Sequence, residues 1–403
     1  MPRFLPILGR LLRGLRNLWS VLGIAVVLFL LLEAAVDVVV ARWADARAAR
    51  RLRTAASSSK PGGTQASTDW TRDYATELRE SFAFTPEPYC YWKSAPFAGR
   101  HINVDSAGRR RTVSAPAATA VGKGRPVRVF LFGGSTLWGV GARDEHTIAS
   151  ALSNELAARA TVEVEVVNYG QIAYVNTQEL LSLLIEVRRG NVPDIAVLYD
   201  GVNDCFSAYE NRAAGNPIRQ FAWDPIQYRK QDEVTHRLIT PNLRNAAVVA
   251  LADRCLRSAG GTHAIAEREA QRLAAEVLEV YRGNLRLLQT IELSARCRTL
   301  CYWQPSVFTK RPLAAAEQQV VNQYGESLKR FFDRVYRRVR ADQKLAEAGI
   351  FHDISRVFEG HKEQLFFDYC HLTEGGNELV ARRIATDVLR LIDEQAAQDG
   401  SAH

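Results

Sequence analysis

Apolar runs alternating with helical periods organise the chain from residue 126 onward. VRVFLFG (127–133) is almost continuously apolar and ends in glycine, as a strand buried on both faces should be. In TIASALSNELAA (147–158), Ile148, Leu152 and Leu156 recur on one helical face. VEVEVVNYG (162–170) predicts a second strand, followed by a helix over 177–187. DIAVLYDG (194–201), RTLCYWQP (298–305) and GIFHDISRVF (349–358) predict three more strands. A last helix over 374–392 spaces Val380, Ile384, Val388 and Leu391 toward a core. This order predicts an α/β fold, a three-layer α/β/α sandwich around a five-stranded parallel sheet. The connection from about 205 to 297 is too long for an ordinary crossover. It holds helix-like stretches at 242–257 and 266–296 and predicts a cap or side wall.

Upstream the pattern differs. Residues 70–125 carry Trp70, Phe82, Phe84, Tyr89, Tyr91, Trp92 and Phe97, with a hairpin signal in HINVDSAGRRRTV, and predict a cover segment packed on the main domain (126–396). SSSKPGGTQAST, within 57–69, has the composition of a flexible tether, and 41–56 reads as a basic, alanine-rich helical extension. Residues 17–40 form an apolar run about one bilayer long, interrupted by Glu33 and Asp37. A cleaved signal peptide and a buried soluble helix are the alternatives. The length of the run and the lack of a small-x-small cleavage site favour a retained transmembrane helix after a basic segment, 1–16. Residues 397–403 read as a disordered tail.

Composition narrows the classes. In 403 residues, 47% hydrophobic and 24% charged, there is material for a large core and no sign of wholesale disorder. The formal charge is +8, and nine arginines crowd the first 53 positions. Without zinc-finger spacing or basic-aromatic interleaving, this basicity points to a membrane surface and away from nucleic acid. Arginines flank the 17–40 run on both sides, so charge does not set its orientation. Cys297 and Cys301 lie four apart with no second pair, and no histidine clusters with cysteine, so neither metal nor cofactor is expected.

The chemistry lies just past predicted strand ends, where an open α/β sheet places its crevice. FGGSTLWG puts Ser135 at a tight turn opening a helix, although alone it reads equally as a cap. YDGVNDC offers Asn203 as an amide donor, with Asp204 tying the loop, or ordinary turn chemistry. In FFDYCHLTEGGN, Asp368 lies three residues before His371 and can hold one ring nitrogen while the other faces a serine; a surface cap is the bland alternative.

Together these blocks resemble the SGNH hydrolases, also called the GDSL esterase/lipase family, over about 126–392. The family serine corresponds to Ser135, with Gly134 where the name-giving aspartate usually sits. GGST followed by Trp138-Gly139 resembles a bacterial membrane-linked subgroup. Gly201, Asn203 and Asp204 match the third block, and Asp368 with His371 the last. VVNYGQIAYVNTQE matches the second block around Asn168, Thr177 and Glu179, but Ala173 stands where the oxyanion glycine is expected. Alanine keeps the backbone amide that the role requires, and Gly170 shapes the loop.

The resemblance implies a serine-dependent carboxylic ester hydrolase. Ser135 would attack, His371 act as base and Asp368 orient it. The amides of Ser135 and Ala173 and the side chain of Asn203 would form the oxyanion hole. It implies an O-acylated carbohydrate or lipid as substrate, O-acetyl groups of an envelope glycan above all, and a domain outside the cytoplasm (periplasmic). A lipase or phospholipase, an O-acyltransferase and a non-catalytic glycan-binding component remain alternatives, and no protein partner is indicated. Cys205 and Cys370 border the same crevice and would form either a disulfide or two buried thiols.

Overall fold

The computed structural model describes residues 69–114, 125–218 and 265–401, together with Ile24 and Leu28. The chain divides into two units, 1–48 with 230–263 and 49–229 with 264–403, and the architecture below is that of the second. It opens with helix α1 (Asp69–Glu80), an antiparallel hairpin of β1 (Phe84–Glu87) and β2 (Tyr91–Ser94), and a short pair, β3 (Phe97–Ala98) and β4 (Asn103–Val104). Five parallel strands follow: β5 (Val127–Gly133), β6 (Val164–Asn168), β7 (Ile195–Asp200), β8 (Arg298–Trp303) and β9 (Phe351–Asp353). Their spatial order is β6-β5-β7-β8-β9. The order reverses at β5, so the connections leaving the neighbouring strands β5 and β7 run to opposite sides and open a crevice at their carboxyl ends.

Strand alternation divides the core in two. Phe130, Phe132, Ala196, Leu198, Cys301 and Trp303 point to one face, and Val129, Leu131, Ile195, Val197, Leu300 and Tyr302 to the other. The first face is covered by α4 (Asn176–Arg188), α5 (Val202–Asn211), α6 (Glu267–Ala295) and α8 (Glu326–Arg340). The second is covered by α3 (Ile148–Arg159) and α10 (Glu374–Ser401). The remaining helices, α2 (Ser135–Trp138), α7 (Ala315–Asn322) and α9 (Gln343–Ala346), are short. Helix α8 shows why these stretches are helical. Leu328, Phe331, Phe332, Val335, Tyr336 and Val339 recur every three or four residues and are all buried. Each contributes about 1.5–3 kcal/mol by leaving water.

The three-layer sandwich and its five parallel strands follow the sequence pattern, with local differences. The fifth apolar run, 349–358, supplies only three residues of strand, because β9 is an edge pairing with β8 alone. Helix α10 continues to Ser401, through much of the stretch 397–403 that composition reads as a disordered tail. Within the insertion 205–297, α6 is a layer of the sandwich rather than a cap: Leu273, Val277, Leu285 and Leu288 pack on the sheet face. The predicted helix at 242–257 lies outside the described residues.

The membrane expectation is corrected. Among the described residues no helix is long and apolar enough to cross a membrane. The two longest, α6 with 29 residues and α10 with 28, each carry charged residues along one side. The run 17–40 lies outside the described residues apart from Ile24 and Leu28. The described residues therefore provide no transmembrane helix preceding the sandwich, and give no support to a membrane partner, a single-pass periplasmic placement or the membrane-linked subgroup.

Residues from 69–110 contribute a third apolar cluster. In it Tyr74, Cys90, Trp92, Ile102 and Val104 join Trp138, Val140, Ile172, Ala173 and Tyr174. At its edge Arg110 is buried against Asp144, 2.5 Å away, with its guanidinium over the Trp138 ring.

Candidate active site

Four connections at the carboxyl end of the sheet bring the sequence-predicted residues together. Ser135 follows β5 as the first residue of α2, Ala173 follows β6, and Asn203 lies in the first turn of α5 after β7. Asp368 and His371 precede α10. Ser135 Oγ is 2.8 Å from His371 Nε2, and His371 Nδ1 is 2.6 Å from Asp368 Oδ2. The second carboxylate oxygen of Asp368 accepts the backbone N–H groups of Cys370 and His371 at 2.9 and 2.8 Å. With both of its oxygens engaged, the carboxylate cannot rotate freely. His371 Nδ1–H is therefore the donor to Asp368, and Nε2 is left to accept from the serine hydroxyl.

Electrostatics follow from this chain. Burial alone would raise the Asp368 carboxyl, but the His371 charge and the three hydrogen bonds outweigh it and hold the group below its ordinary range. Burial alone would lower the His371 imidazole, yet the adjacent Asp368 carboxylate prevails and the ring sits well above its ordinary value. The Phe367 ring lies nearly parallel to the imidazole, with centroids 5.7 Å apart at 13°. Gly141 makes room for it, since a β-carbon there would lie 2.0 Å from the Phe367 ring.

Asn203 and the Tyr174 carbonyl both approach Gly134, next to Ser135. Gly134 touches the Asn203 amide so closely that a β-carbon at 134 would lie 2.3 Å from Asn203 Nδ2. The aspartate usual at that position in this family would displace the asparagine, so glycine here and the observed pose of Asn203 belong together. Asn203 Nδ2 donates to the Tyr174 carbonyl at 2.7 Å, which leaves its second N–H for the crevice. Ala173 has φ +64°, left-handed backbone that costs a non-glycine residue about 1–2 kcal/mol. Glycine would adopt it without that strain, a physical reason for glycine at the equivalent family position. Gly170 shapes the loop: its N–H donates to Asn168 Oδ1 at 2.9 Å, while Asn168 Nδ2 donates to the Leu137 carbonyl at 3.0 Å.

Beneath the site lies a buried polar layer. Asp204 accepts from the backbone of Asn176 at 3.1 Å and Gly201 at 3.2 Å, tying the starts of α4 and α5. Asn176 also donates to Asp200 at 2.6 Å, and Asn284 to Asn176 at 2.7 Å. Burial, then the charges of Asp200 and Asp204, push the Glu179 carboxyl far up, and burial with Asp204 does the same to Asp200. Burial raises Asp204 to about 6, restrained by the N–H groups it accepts. Another buried pair supports the histidine loop. Lys310 Nζ lies 2.6 Å from Glu317, whose carboxylate also accepts the backbone of Leu365 at 2.9 Å and Phe366 at 3.1 Å. The sequence blocks do not reveal these last partners, because their pairing depends on chain segments about fifty residues apart.

Cys205 and Cys370 are free, buried thiols in one apolar cluster, so the disulfide alternative is not realised. Burial pushes both thiols up. Among the described residues, Asp368, Cys370 and His371 bring potential metal-ligand atoms within 4.8 Å of one another. Both ring nitrogens are already committed to Asp368 and Ser135, so a cation there would have to break the hydrogen-bond chain.

A serine, a histidine and an aspartate linked at the carboxyl edge of a parallel sheet form the arrangement of a serine hydrolase. Residues 129–384 match the family described as GDSL-like Lipase/Acylhydrolase. The chain belongs to that family and is an SGNH-type serine esterase. No curated protein matches the chain. Among solved structures, an acetyl xylan esterase is 15% identical, with TM-score 0.36, over 65% of this chain and 100% of its own. An acetyl xylan esterase from Geobacillus stearothermophilus is 16% identical, with TM-score 0.35, over 68% and 96%. An alpha/beta hydrolase enzyme from the metagenome of Lake Arreo, Spain, is 15% identical, with TM-score 0.31, over 68% and 99%. Likeness at this level says nothing about substrate.

Proposed function

We propose that Ser135, His371 and Asp368 are the catalytic triad of this esterase, and that its substrate is a small O-acyl group, above all O-acetyl, on a carbohydrate. The observation that carries the mechanism is the continuous hydrogen-bond chain from Ser135 Oγ through both His371 nitrogens to Asp368. Ser135 Oγ attacks the ester carbonyl as its proton passes to His371 Nε2, and the carbonyl electrons move onto oxygen. The amides of Ser135 and Ala173 and the free N–H of Asn203 meet that oxyanion. Among the described residues the Ala173 amide donates to no acceptor, as the role requires. The imidazolium then protonates the departing sugar oxygen. Water, deprotonated by His371, releases the acid and regenerates Ser135.

The rim supports a sugar as the alcohol. Phe367 lies against the imidazole, while Phe206, three residues after Asn203, packs against Tyr369 with ring centroids 5.7 Å apart. All three rings are half-buried. Aromatic faces beside a reacting centre suit the C–H faces of a pyranose, with its hydroxyls left to water. Comparing the full chain on acetylated oligosaccharides and on glyceryl esters with chains of eight carbons or more tests this. A kcat/KM for acetyl esters at least about 100-fold higher is expected, which corresponds to nearly 3 kcal/mol of discrimination. Preference for the long chains would overturn the carbohydrate reading and leave the triad untouched.

A further inference from the structure

We propose that Trp92, in the hairpin that precedes the family-matched region, is a positioning residue that holds the Ile172–Ala173 peptide with its N–H toward the oxyanion. This rests on the role proposed above for Ala173. The Trp92 indole N–H donates to the Ile172 carbonyl at 2.9 Å, from a side chain that is fully buried. In a trans peptide the carbonyl and the following N–H point in opposite directions. Fixing the Ile172 oxygen against Trp92 therefore directs the Ala173 N–H away from the hairpin, where it finds no acceptor among the described residues.

The neighbours of that peptide are held from the same segment. Gln171 Oε1 accepts the Ser94 backbone N–H at 2.8 Å and its hydroxyl at 3.0 Å, and Gln171 Nε2 donates to the Gly108 carbonyl at 2.7 Å. The Tyr174 hydroxyl donates to the Trp92 carbonyl, and the two rings meet edge to face at 5.5 Å. Asn203 takes the Tyr174 carbonyl from the crevice side. Three residues, Gln171, Ile172 and Tyr174, are thus gripped around one strained position, Ala173.

The strain gives the grip its purpose. Alanine at φ +64° favours relaxation to negative φ, and rotation of the 172–173 peptide is the local route. That rotation would turn a carbonyl oxygen toward the developing negative charge and remove a donor from it. The Trp92 hydrogen bond opposes the rotation, so a segment upstream of residue 129 completes the oxyanion site.

The test is Trp92→Phe in the full chain, which removes the N–H donor and keeps an aromatic ring. With 4-nitrophenyl acetate, kcat is expected to fall about 10-fold or more while KM stays within about threefold. The acid limb of the pH profile should not move, because the triad is intact. Adding Ala173→Gly should recover much of the loss, since glycine holds positive φ without strain. A Trp92→Phe kcat within twofold of the parent, or a loss that Ala173→Gly does not relieve, would overturn the inference. Should Trp92→Phe fail to fold, Tyr174→Phe is read instead: a several-fold lower kcat supports the grip and an unchanged kcat refutes it. Ser135→Ala serves as the control for the underlying reading. If that variant keeps full activity, the proposed mechanism itself fails, whereas Ser135-dependent activity with an unaffected Trp92→Phe refutes the positioning role alone.

Discussion

Replacing Ser135 with alanine is expected to lower kcat on a short-chain ester by about 10⁴- to 10⁶-fold and to leave the fold intact. Removing the hydroxyl deletes the atom that would form the acyl-enzyme, and members of a triad act as a unit, so little is retained when one is lost. The structural cost is small. The side chain is a short one at the start of α2, and its hydroxyl makes one hydrogen bond, to His371, worth about 1 kcal/mol. Steady-state kinetics and a thermal melt on the same preparation check both halves. A residual rate within about tenfold of the parent would mean that another group performs the attack.

Asp368→Asn is expected to cost about 10⁴-fold in kcat and to move the acid limb of kcat/KM to lower pH. The rate follows from the tautomer. A carboxamide can present its NH₂ to Nδ1, which places the ring proton on Nε2, facing the serine and unable to receive its hydrogen. The direction of the pH shift follows from charge. His371 must be neutral to act as a base, so activity is present above its pKa and lost below it. The Asp368 carboxylate is what outweighs burial and holds that pKa well above the ordinary histidine value. Without the charge, burial prevails, the imidazole loses its proton at lower pH, and the limb follows. The parent enzyme accordingly gains activity toward alkaline pH. An unmoved limb in Asp368→Asn, read from a pH series of kcat/KM, would separate His371 from Asp368 functionally.

The layout of the sheet is legible in the sequence because its first three parallel strands are short apolar runs ending in glycine, asparagine or aspartate. Those endings place Ser135, Asn203 and the Asn168 loop at one edge. The Asp368–His371 spacing is legible for the same reason, since three residues on a turn bring carboxylate and ring together. Ala173 can be located by its distance from Asn168, but its positive φ cannot, because nothing in the residue itself announces left-handed backbone. Trp92 is beyond the reach of any periodic signal. It touches Ile172 across eighty positions, and an aromatic in a hairpin reads only as packing. The Lys310–Glu317 pair shows the same limit: its value to the histidine loop lies in the backbone N–H groups it meets at Leu365 and Phe366. The apolar run 17–40 marks the opposite limit: composition suggested a membrane span there, and no described helix is one.

Labelling with a fluorophosphonate tests the central claim most directly. Ser135 Oγ would attack phosphorus, fluoride would leave, and the serine proton would pass to His371, giving a stable phosphonyl ester. Intact mass of the full chain should show one adduct, and peptide mapping should place it on Ser135. The adduct should be absent in Ser135→Ala and strongly slowed in His371→Ala. An adduct on another residue, or hydrolysis that persists after full treatment without any adduct, would contradict the account.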